Sequence, residues 1–181
     1  LVRAGGGRTD RGGRPDRGGH RPRRRGTAHT PTRVEVLDKL EGEGLLPAIT
    51  FIFSRAGCDA AVKQCLYAGV RLTTTDERKE IRAYVEERCS TIPDEDLHVL
   101  GYLEWLEGLE RGIAAHHAGI LPTFKEVVEE LFTRGLVRAV FATETLALGI
   151  NMPAKSVVLE KLVKWNGETH AEVTPAEYTQ L

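Results

Sequence analysis

Two hydrophobic rhythms alternate along this chain, one with helical spacing and one of short unbroken apolar runs. The spacing in "TRVEVLDKLEGEG" predicts a helix over about residues 31–40, stopped by Gly42 and Gly44. "PAITFIF" (residues 47–53) is a continuous apolar run rich in β-formers, the pattern of a strand buried on both faces. "SRAGCDAAVKQCLYAG" predicts a turn and then a helix that stops at Gly69. "TTTDERKEIRAYVEERC" opens another helix, with Thr74 and Glu77 at capping-box spacing. "PDEDLHVLGYLEWLEGLERG" predicts one amphipathic helix ending at Gly112. "GIAAHHAGI" is a short strand running into a polar turn. "LPTFKEVVEELFTRG" is a helix with Pro122 in its first turn and Gly135 beyond its end. "LVRAVFA" is the next strand. "SVVLEKLVKWNGETHAEV" predicts two strands joined at Asn166-Gly167, a hairpin signal.

Strands separated by helices of this length predict a parallel α/β sheet covered on both faces. Ligands of such sheets bind at the carboxyl ends of the strands. Three polar stretches fall there: Ser54-Arg55, His116-His117-Ala118-Gly119, and "ATETLALGINMPA" (residues 142–154).

Charge divides the chain. Its 181 residues carry a net charge of -1, but residues 1–33 hold ten Arg against two Asp, a balance of +8. The remainder holds 15 basic against 24 acidic residues, a balance of -9. Residues 1–33 have almost no apolar side chains to offset the entropy of ordering, so they read as a disordered Arg/Gly-rich linker or insertion. Residues 34–181 read as one compact domain. Arg-Gly-Gly repeats also bind RNA through phosphate pairing and guanidinium stacking, and that role stays open beside the solvated linker. Neither a membrane-spanning run nor a signal peptide is visible. The cysteines, Cys58, Cys65 and Cys89, do not pair evenly and lack zinc spacing, which points to a reduced, cytoplasmic setting.

The strand-end residues are donors and small groups rather than catalytic pairs. Thr143 and Thr145 offer hydroxyl and backbone N–H groups to phosphate. Gly119 and Gly149 let a backbone approach closely. Arg55 adds positive charge. Each also has a plainer reading. Ser54 caps the helix that follows. Arg55 and Glu144 are solvated charges. Gly149 and Pro153 punctuate a turn. His116 and His117 read poorly as metal ligands, since neighbours on a strand face opposite ways and no acidic partner stands at metal spacing. No G-x-x-x-x-G-K-[ST] loop occurs. Taken together, these residues describe a parallel α/β domain with phosphate-binding strand ends and no self-contained catalytic site.

"TFIFSR", "AAHHAGILP", "ATETLALGINMPA" and "TPAEYTQL", in this order, resemble the superkiller-type DExH-box RNA helicases of superfamily two. The wording "ITFIFSRAGCDAAVKQCL" looks most like actinobacterial members. The resemblance covers about residues 45–181 and implies a fragment that forms the second RecA-like domain. It implies RNA-backbone contacts at Ser54, Arg55, His117, Gly119, Thr143 and Thr145, and nucleotide contacts at Gly149, Asn151 and Gln180. It implies ATP with Mg2+, bound mainly by a first RecA-like domain of the same protein that carries the P-loop and DExH box. The family's arginine fingers are expected just after Gln180, so the fragment by itself is expected to be inactive. RNA, and an RNA-decay assembly, are the implied partners. A DNA repair helicase of related build and a non-enzymatic RNA-binding module remain as alternatives.

Overall fold

A computed structural model describes residues 30–147, 152–160, 163–165 and 170–172. The basic stretch 1–29 lies outside the described residues.

Helix α1 (Arg33–Gly42) begins at a capping box: Thr32 Oγ1 accepts from the Glu35 N–H at 3.2 Å, and the Glu35 carboxylate accepts from the Thr32 N–H at 2.7 Å. It leads to strand β1 (Ala48–Phe51), every residue of which is buried. Helix α2 (Arg55–Tyr67) buries Cys58, Ala61, Val62 and Cys65, one stripe of a 3.6-residue period. Helix α3 (Thr75–Cys89) starts on the expected Thr74–Glu77 capping box and buries Ile81, Val85 and Cys89. Helices α4 (Asp94–Val99) and α5 (Tyr102–Glu110) precede strand β2 (Ile113–His116). Helix α6 (Pro122–Thr133) has Pro122 at its first position and ends before Gly135, at φ 74°. Strand β3 (Ala139–Ala142), a 3-10 turn (Glu144–Ala147) and strand β4 (Ser156–Leu159) follow. Strands β5 (Val163–Trp165) and β6 (His170–Glu172) pair antiparallel.

The main sheet has the order β2-β3-β1-β4 and is parallel throughout, as the alternation of strands and helices predicts. Its strands alternate between two cores. Ile49, Phe51, Ala114, Val140 and Ala142 pack with α3, α5 and α6. Ile113, Ala115, Ala139 and Phe141 pack with α2 and with Leu37 of α1. Burying each large apolar side chain contributes about 1.5–3 kcal/mol, and covering both faces lets even four-residue strands bury every position in β1, β2 and β3.

Two expectations are corrected. The amphipathic stretch before Gly112 is two helices, because Gly101 adopts φ 69° and ψ 31°, a left-handed conformation that stops α4. The break turns Trp105 inward, where it stacks on Phe124 at 3.9 Å, and leaves Val99 and Leu103 exposed at the corner. The segment after Lys155 holds three strands rather than two. Its first apolar run, β4, pairs with β1 in the parallel sheet, and β5 and β6 alone form the antiparallel pair. The expected Asn166-Gly167 turn lies outside the described residues.

Candidate nucleic-acid interface

The register aligns the carboxyl ends of the four strands. His116 faces Ala142 across β2–β3, Ala142 faces Phe51 across β3–β1, and Phe51 faces Leu159 across β1–β4. The ladder runs slightly past the strands: Ile52 N–H donates to Ala142 O at 2.8 Å and Thr143 N–H to His116 O at 3.3 Å. The chain therefore leaves the sheet along one line, through Ser54-Arg55, residues 117–119, Thr143 and Glu160.

Ser54 caps α2, its Oγ accepting from the Gly57 N–H at 3.2 Å. Its hydroxyl is thus already engaged as an acceptor. Arg55 occupies the first position of the same helix. It is exposed and makes no hydrogen bond or ion pair among the described residues.

The adjacent histidines turn to opposite faces of the sheet, as strand geometry requires. His116 Nε2 meets Glu129 Oε1 of α6 at 2.7 Å, and His117 Nε2 meets Asp59 Oδ1 of α2 at 2.9 Å. Both rings are buried. Burial pushes the His116 pKa below its ordinary value, with Glu129 opposing and Lys125 and His117 assisting. His116 Nδ1 has no hydrogen-bond partner. His117 is saturated: the Gly119 N–H donates to its Nδ1 at 3.1 Å. An N–H can only donate, so Nδ1 is bare and Nε2 carries the proton given to Asp59. His117 is therefore a buried brace behind the turn.

Gly119 also has little room for a side chain. A methyl placed on it would lie 3.1 Å from His117 Nδ1 and 3.6 Å from Arg55 Cδ. The stem of Arg55 and Gly119 are thus neighbours. Thr143 is half-buried, its backbone tied to His116 O and its carbonyl accepting from the Leu146 N–H at 3.1 Å. Thr145 stands in the 3-10 turn, and its side chain lies outside the described residues. So do Gly149, Asn151 and Gln180.

Beside this line a cavity of about 410 Å³ opens at the outer edge of β2. Asp59, His117 and Gly119 form one wall, and Val99, Leu100 and Trp105 another. Among the described residues, no cluster of three or more His, Cys, Asp or Glu could hold a metal. No described helix is long and apolar enough to cross a membrane.

Asp59 and Glu129 had no signal in the sequence. Each is one charged residue among several on its helix, and only the packing of α2 and α6 on opposite sides of the sheet brings them to the histidines.

No protein-family profile matches the chain. The probable helicase HelY of Mycobacterium tuberculosis is 65% identical over 165 residues, 88% of this chain and 18% of that protein. The DExH-box ATP-dependent RNA helicase DExH11 of Arabidopsis thaliana is 40% identical over 146 residues, 81% of this chain and 11% of that protein. The antiviral helicase SKI2 of Saccharomyces cerevisiae is 35% identical over 147 residues, again 81% and 11%. The chain spans less than a fifth of the length of these relatives. With its parallel α/β sheet and its identity to HelY and SKI2 over most of its residues, the chain belongs to the superkiller-type DExH-box helicases.

Proposed function

We propose that residues 34–181 are the second RecA-like domain of an ATP-dependent RNA helicase, and that the strand ends bind the RNA backbone. The observation that carries the reading is the pairing of Arg55 with Gly119. An exposed arginine without a hydrogen-bond or ion-pair partner among the described residues has its Cδ beside a turn that has no side chain to fend off a phosphate. Arginine holds phosphate with two parallel hydrogen bonds, and a free one has no partner to give up first. Thr143, fixed by its backbone to β2, leaves β3, the strand between those that lead to Gly119 and Arg55. RNA rather than DNA is supported by the name of the Arabidopsis relative, an RNA helicase.

In this reading residues 143–151 link the RNA face to a nucleotide face. Gly149, Asn151 and Gln180 are assigned to the nucleotide by resemblance alone, so no chemical step is drawn through ATP or Mg2+. The work of the described residues is positional: Arg55 neutralises phosphate, His117 braces the turn, and the aligned strand ends keep the contacts in one row.

The test is titration of labelled single-stranded RNA into the 181-residue chain between about 50 and 200 mM salt, with unlabelled single-stranded DNA as competitor. Arg55→Ala should weaken RNA binding and lower the salt slope by about one, the signature of one lost phosphate contact. Deleting residues 1–29 should flatten the slope further, since the nine arginines there can release counterions. Unchanged affinity and slope in Arg55→Ala would remove the strand ends from the interface. Equal competition by DNA would favour the repair-helicase alternative.

A further inference from the structure

Asp59 stands one helical turn after Arg55, on the same face of α2. Its Oδ1 accepts from His117 Nε2, and His117 Nδ1 in turn accepts from the Gly119 N–H. Arg55 Cδ lies 3.6 Å from where a methyl on Gly119 would stand. The four residues cluster together, two from α2 and two from the turn after β2. Three of them also line the cavity at the edge of β2, which brings solvent to their back.

We propose that Asp59 is a positioning residue for the RNA contact, acting through the protonation site of His117. This rests on the reading that Arg55 and Gly119 meet phosphate. A neutral imidazole carries one proton and can place it on either nitrogen. The Asp59 carboxylate accepts only, so it draws the proton to Nε2. Nδ1 is left bare and takes the Gly119 N–H. With the proton on Nδ1, two N–H groups would face each other across 3.1 Å and the turn would have to open. Asp59 thus holds Gly119 against Arg55 without touching RNA itself.

The sign of the effect separates this role from a plain surface charge. The Asp59 side chain is half exposed, and a carboxylate near a phosphate site repels it. If Asp59 were only a solvated charge, removing it would strengthen RNA binding. As a positioning residue, its removal should weaken binding despite the lost repulsion.

The experiment compares Asp59→Ala and Arg55→Ala with wild type in the full chain, using ring-nitrogen and amide NMR of 15N-labelled protein at about pH 8, above the ordinary histidine range. In wild type, His117 should show a protonated Nε2 and an accepting Nδ1. In Asp59→Ala the ring should become a mixture of tautomers, the Gly119 amide signal should move, and RNA affinity should fall about three- to ten-fold, the size of one hydrogen bond. The melting temperature, measured on the same samples, should hold within a few degrees, as for an exposed site. A protonated Nδ1 in wild type overturns the proposal. So does unchanged or increased affinity of Asp59→Ala when Arg55→Ala binds weakly. Indifference to Arg55→Ala overturns the interface itself, and the role of Asp59 with it.

Discussion

Arg33 grips Glu160 with two parallel hydrogen bonds, Nε to Oε2 and Nη2 to Oε1, each 2.7 Å long. Its remaining Nη1 donates to Gln64 Oε1 at 2.8 Å. One guanidinium thus fastens the start of α1 to α2 and to the residue after β4, 127 positions along the chain. Both partners are partly exposed, so solvent screens the charge, yet the fork geometry keeps the pair above an ordinary surface bridge. In a double-mutant cycle, Arg33→Ala and Glu160→Ala should couple by about 1 kcal/mol. Strict additivity in denaturant melts would show that the pair holds nothing together.

The capping box of α3 gives a sharper expectation. Thr74 Oγ1 accepts from the Glu77 N–H, and the Glu77 carboxylate accepts from the Thr74 N–H at 2.7 Å. That backbone bond, helped by Arg138, holds the Glu77 pKa below its ordinary 4.5. A lowered carboxylate pKa stabilises the fold above the unfolded value, and the contribution fades as pH falls through the folded one. Thr74→Ala should cost about 1 kcal/mol near neutral pH. Glu77→Gln should shrink the stability lost below about pH 4.5, read from urea melts at paired pH values.

His116 should make the fold sensitive to mild acid. Burial lowers its folded pKa below the ordinary 6.5. Between the folded value and 6.5 the unfolded chain binds a proton that the folded chain refuses, so stability rises with pH through that window. The contribution is complete above the unfolded pKa and is lost as pH falls through the folded one. His116→Gln should flatten this dependence in denaturant melts, after subtraction of its own fixed cost. Identical slopes for the two proteins would assign the acid sensitivity to other groups.

The three cysteines should be silent until the chain unfolds. Cys58, Cys65 and Cys89 are free and buried. Burial, with Asp59 adding to it, pushes the Cys58 pKa up to about 12, and burial raises Cys65 to about 11. The thiolate is the reactive form, so both should resist iodoacetamide at about pH 8. Mass spectrometry should find the native chain almost unmodified and the denatured chain carrying three additions. Rapid native alkylation of Cys58 or Cys65 would mean that this side of the sheet opens far more often than its packing implies.

Helices were the most legible part of the fold. Thr74, Glu77, Pro122 and Gly135 mark element ends by local chemistry, and local chemistry survives folding. The break at Gly101 escaped because a glycine inside an amphipathic pattern reads as a tolerated interruption until its φ is known. β4 escaped because an apolar run near a hairpin signal fits either the hairpin or the sheet, and only its pairing with β1 decides. At the site, Arg55 and Gly119 were visible as residue types, whereas the Asp59–His117 bond joins positions 58 residues apart. No spacing rule spans such a gap.

Gly108 carries a consequence for how this molecule behaves in company. β2 is an outer strand of the main sheet, and the parallel ladder turns the N–H and C=O groups of Ile113 and Ala115 away from β3. α5 lies across the Ile113 end so closely that a methyl on Gly108 would sit 2.9 Å from Ile113 O. The glycine lets a helix stand guard where another strand could dock. Gly108→Val should lift α5 from that edge, and the loosened chain should self-associate as its concentration rises, visible by light scattering before any loss of helical signal. One missing side chain on α5 thus decides whether that edge of the sheet stays covered.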